Sequence, residues 1–152
     1  MSVLAGNRRF FMVAVPIFVV AIGLVVTYLV MRPTIRRNAA DLVESKLGIV
    51  VGVVDDIRAA EGGLGAATAA HLDEVAPEEF GFQGPDVPSD EPLVVSVLAT
   101  DEMWTGAARA DSGACYFVRV TASGAVQHGT IPGNVCTAQV ASAADPLGWP
   151  DL

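Results

Sequence analysis

The sequence predicts an α+β fold: a long N-terminal helix, transmembrane and then amphipathic, packed on a small three- or four-stranded antiparallel sheet. Three observations predict it. An uncharged apolar run occupies Phe10–Met31, a stripe of apolar residues at helical spacing follows it, and β-branched runs separated by turn chemistry occupy the region from Leu93.

Residues 1–9 form a short polar lead, expected to be cytoplasmic. The run at 10–31, FFMVAVPIFVVAIGLVVTYLVM, carries no charge. As a helix it spans roughly 33 Å, enough to cross a hydrocarbon core of about 30 Å. Arg8 and Arg9 bound it on one side, and Arg32, Arg36 and Arg37 on the other. Tyr28 suits the interface, and Pro16 is tolerable in a membrane helix. The run outlasts a secretory signal and ends in Met31-Arg32-Pro33 without a small-residue cleavage pair, so it reads as a retained single-pass anchor.

Residues 32–62 read as an amphipathic helix. Ile35, Ala39, Leu42, Val43, Leu47, Val50, Val53, Val54, Ile57 and Ala60 recur at three- and four-residue steps, and Gly62-Gly63 ends the pattern. Gly48 and Gly52 make a small-xxx-small pair. Anchor and amphipathic helix together would form a rod of roughly 75 Å. Residues 63–92, with Pro77, Pro85 and Pro88, read as an irregular variable loop. The sheet is expected within 93–140. Its strands are Leu93–Ala99, Met103–Ala110, Cys115–Ala122 and a short Ala125–His128, with Asp111-Ser112-Gly113 and Ser123-Gly124 as hairpin turns. Residues 141–152 read as a flexible tail. The helix stripe and one sheet face each need a partner. Leu42, Leu47, Val50, Val53, Val54 and Ile57 are therefore expected against Val94, Val95, Val97, Phe117 and Val118, with only one of each adjacent strand pair facing inward.

The net charge is −8, and from Glu61 onward thirteen acids face only Arg109 and Arg119. That balance repels nucleic acid. The only cysteines, Cys115 and Cys136, are expected to form one disulfide, which places the C-terminal domain outside the cytoplasm. His71 and His128 lack ligand partners at metal spacing, and no Walker loop, G-x-S-x-G or G-x-G-x-x-G is present. The acid pairs Asp55-Asp56, Glu78-Glu79 and Asp90-Glu91 read as solvated loop and helix charges, and Trp104 and Trp149 as core and tail contacts. The reading is of a non-enzyme with no cofactor, no metal and no catalytic residue.

Ser112-Gly113-Ala114-Cys115-Tyr116-Phe117-Val118-Arg119, then Ser123-Gly124, His128-Gly129-Thr130 and Cys136-Thr137-Ala138, resembles pilin-like proteins of GC-rich Gram-positive bacteria. The order of elements is similar to the type IV pilin fold. A clear prepilin cleavage site is lacking: Asn7-Arg8-Arg9 follow Gly6, Phe11 stands where the family's glutamate would, and no glutamate occurs in the first forty residues. The resemblance implies a membrane-anchored, pilin-like structural or assembly component of a type IV pilus or type II secretion-like apparatus. Its partners would be the lipid bilayer and other pilin-like subunits or membrane assembly proteins. The alternative is an extracytoplasmic sensory or ligand- and protein-binding module on a single-pass anchor, with the 63–92 loop as its recognition element.

Overall fold

The computed structural model describes residues 40–146 together with Thr27. Thr27 apart, the apolar run at 10–31, and with it the expected anchor, lies outside the described residues, as does Trp149. Among the described residues no helix is long and apolar enough to cross a membrane.

Residues 40–61 are helical (α1). Ala40, Val43, Leu47, Val50, Val54 and Ile57 are buried on it, a three- and four-residue spacing that makes one apolar stripe. Gly62, with φ +82°, follows, its N–H donating to Arg58 O at 2.9 Å. A single 3-10 turn at Leu64–Ala66 then seats Leu64 in the core. Helix α2 spans Ala69–Val75; Thr68 caps it, accepting a hydrogen bond from the His71 N–H.

Five strands follow: β1 Gly81–Gln83, β2 Val94–Ala99, β3 Met103–Arg109, β4 Cys115–Thr121 and β5 Val126–Ile131. They lie in chain order in one sheet. β1 runs parallel to β2, and β2 to β5 form an antiparallel meander. Gly113 and Gly124, with φ +83° and +84°, supply the left-handed positions of the β3–β4 and β4–β5 turns. A short helix, α3 (Ala138–Ser142), packs on the sheet face opposite α1. Val95, Val97, Trp104, Ala108, Tyr116, Val118 and Val120 join the stripe of α1 in one core. Ala107, Cys115, Phe117, Ile131, Cys136 and Ala141 form a second core under α3.

This corrects the expected fold. The sheet has five strands and is mixed, where a three- or four-stranded antiparallel sheet on a long transmembrane-plus-amphipathic helix of type IV pilin type was expected. The extra strand, β1, comes from the region read as irregular loop, which also holds α2. Its pairing explains the miss: β1 is only three residues, Gly-Phe-Gln, too short to show alternation, and it is held by the Gly81 N–H bond to Leu93 O at 3.0 Å. Three expected core positions also change. Leu42 is 42% exposed and Val43 replaces it in the core. Val53 is only partly buried, and Phe117 faces α3 instead of α1.

Candidate functional site

A groove of about 300 Å³ is lined by Thr68, Ala69, Ala70, Gly84, Pro85, Val97, Leu98 and Ala99. Its floor is the last half of β2. One wall is the start of α2, and the other is the chain leaving β1. Each wall is fixed. Trp104, fully buried, donates its indole N–H to Ala67 O at 3.0 Å and so ties the approach to α2 to the sheet. The Phe82 N–H donates to Asp73 Oδ1 at 3.0 Å and joins β1 to α2. The Ser96 hydroxyl, fully buried, donates towards Gly84 O at 3.1 Å and Pro85 O at 3.4 Å, and accepts the Ala138 N–H at 2.9 Å. The lining is small and apolar, which suits a chain segment or apolar side chains over a charged metabolite.

Cys115 and Cys136 are bonded, with Cα atoms 5.4 Å apart. The bridge ties β4 to the segment before α3, whose Cys136 O accepts the Ser89 N–H at 2.8 Å. Arg109 holds the same neighbourhood. Its guanidinium donates to Ser89 O at 3.1 Å, to Gly113 O at 3.1 Å and to Asn134 O. Arg119, 9% exposed, donates to Ala141 O, Ser142 O and Ala144 O at 2.8–3.0 Å, completing the carbonyl end of α3, and to Gln127 Oε1 at 3.2 Å. Both arginines of the acidic region therefore serve backbone carbonyls.

The ionisable residues singled out by sequence do not converge. His71 lies 3.4 Å from Glu61, Glu79 is 2.5 Å from Lys46, and Asp55 is 3.2 Å from Arg58. Asp90 and Glu91 are exposed. One cluster escaped sequence reasoning, because it joins α1 to β4 and β5. Burial, then the Asp41 carboxylate, push the Glu44 carboxyl up from its ordinary range, with His128 pulling it down. Burial, then Glu44 and Asp41, push the Tyr116 phenol up. Among the described residues no three His, Cys, Asp or Glu side chains gather as a metal set would. The groove itself was also illegible, since its floor opens only where the unforeseen β1 ends.

No family model matches the chain, and no curated protein or solved structure matches it.

Proposed function

We propose that this chain is an extracytoplasmic protein-binding module held on a single-pass anchor, a docking component and not a catalyst. The observation that carries the reading is the β2 groove: a small-residue, apolar concavity with both walls hydrogen-bonded in place. Its outside location is supported by the Cys115–Cys136 bridge and by the uncharged run at 10–31. The pilin-like form of the role is not carried forward, because the fold it required is not the one observed.

A photo-crosslinking side chain at Leu98 of the full-length chain, in cells stripped of wall, tests the reading. A discrete adduct is expected from Leu98 and none from Asp111, an exposed turn position beyond the opposite end of β3 from the residues paired with Leu98 and Ala99. Ala70→Trp, which fills the groove from its wall, is expected to remove that adduct. Equal labelling from both positions would overturn the reading.

A second reading, a structural subunit that assembles through α1, is favoured by one observation. Leu42 and Ile49 are exposed on that helix, and a Cβ added at Gly48 or Gly52 would meet nothing within 4 Å. Disulfide trapping between copies carrying Ile49→Cys would detect it.

A further inference from the structure

β2 is paired along only half of its outer edge. Val94, Val95 and Ser96 are covered by Gly81, Phe82 and Gln83. Beyond Ser96 the chain after β1 is pulled away at Gly84 and Pro85 by the Ser96 hydroxyl, and Pro85 O is taken by the Gln139 N–H at 3.0 Å. Among the described residues no strand pairs with Val97–Ala99 on that side.

The direction of the backbone groups follows from two hydrogen bonds. The Thr100 N–H donates to Met103 O across the β2–β3 turn, so even-numbered residues of β2 address β3. The Gly81 N–H donates to Leu93 O, so odd-numbered residues address the opposite edge. Peptide groups alternate along a strand. Val97 C=O, Ala99 N–H and Ala99 C=O therefore project from the uncovered edge, where Val97, Leu98 and Ala99 line the groove.

We infer that the groove takes an extended polypeptide as an added strand on β2, with small or aliphatic residues inside and lysine or arginine at its ends. This deepens the protein-binding reading and rests on it. Three free residues give an edge of about 10 Å. The groove volume corresponds to roughly ten waters to be displaced. Main-chain pairing supplies the attachment, and the alternate side chains are read by the walls. The charge of the ends is set by the surroundings. Asp86 follows Pro85 at one rim, Asp101 and Glu102 follow β2 at the other, and all three are exposed. Among the described residues no salt bridge holds these three acids, and the guanidiniums of Arg109 and Arg119 are directed at backbone carbonyls.

The test uses full-length protein in lipid nanodiscs with the hexapeptide Lys-Val-Ala-Val-Ala-Lys, its Glu-ended counterpart, and a version with proline in the middle. The basic peptide is expected to bind, to weaken as salt rises, and to slow exchange of the Ala99 N–H. The other two peptides are expected to bind at least about tenfold more weakly. Ala99→Pro removes the outward donor without touching the ladder to β3, and is expected to weaken the basic peptide by a similar factor. Should that variant fail to fold, Ala70→Trp tests the same groove from its wall. Binding of the basic peptide with Ala99 exchange unchanged would overturn strand addition and leave the protein-binding reading standing. Slow Ala99 exchange in peptide-free protein, together with a dimer in sedimentation, would assign the edge to a second copy and overturn the basic partner. Absence of peptide binding overturns the inference alone if Leu98 still gives its adduct, and both readings if it does not.

Discussion

Gly106→Ala probes how the α1 face of the sheet is packed. Gly106 sits two residues after Trp104 on the same face of β3, and the indole lies across it. A Cβ built at Gly106 would be 2.5 Å from Trp104 Cη2, 3.1 Å from Cζ3 and 3.3 Å from Cζ2. The ring has nowhere to retreat, being fully buried and held by its N–H bond to Ala67 O. Overpacking of this kind costs about 1–3 kcal/mol. Replacing a strand glycine by alanine offsets about 0.5–1 kcal/mol of that through lost unfolded-state freedom. The net is a destabilisation of about 1–2 kcal/mol, a fall in Tm of roughly 5–10 °C for a domain this size. Guanidinium denaturation followed by far-UV circular dichroism measures it. Trp104→Phe alone is also destabilising, through lost volume and an unpaired Ala67 carbonyl. In the double variant the smaller ring makes room for the methyl, so a favourable coupling of about 0.5–3 kcal/mol is expected. A Gly106→Ala protein as stable as the parent, with no coupling to Trp104, would refute the placement of the indole.

Replacing Cys115 and Cys136 by serine opens a loop of 21 residues' separation and is expected to cost about 3 kcal/mol, read as a lowered denaturation midpoint. Arg119→Met leaves the carbonyls of Ala141, Ser142 and Ala144 without their donor; a loss of about 2 kcal/mol and faster amide exchange in α3 are expected, with Arg119→Lys recovering only part because an ammonium lacks the planar fork. Glu44 has its carboxyl raised in the folded state, so folding takes up a proton there and stability falls as pH rises through and above the ordinary value of 4.5. Glu44→Gln is therefore expected to raise the denaturation midpoint at neutral pH, with the gain vanishing below about pH 4.

The first three strands of the meander were legible because each is a β-branched or small-residue run bounded by turn residues, Cys115–Thr121 and Val94–Ala99 being the clearest cases; β5 runs on to Ile131, past the expected end at His128. Which face each strand residue takes was not. Residues 115–120 are all buried because α1 covers one face and α3 the other, so no polar alternation marks Phe117 for one side or the other. On α1 the repeat fixed Leu47, Val50, Val54 and Ile57 but not Leu42 or Val53, since an aliphatic side chain at a helix surface carries little penalty. The groove depends on where β1 stops, and that is set by the Ser96 hydroxyl and the Gln139 N–H, two contacts made across long sequence separations. A pattern that reads near neighbours has no access to them.

The face under α3 also has a consequence for the order in which the chain matures. The hairpins from β2 to β5 join near neighbours in sequence and close quickly. The α3 face closes through distant pairs: Ser96 with Ala138, Arg109 with Asn134, Arg119 with Ala144. Cys136 reaches Cys115 only when that segment has docked on the finished sheet. Oxidation is thus expected to be a late step, and a thiol-trapping time course on refolding chains would follow completion of the fold itself.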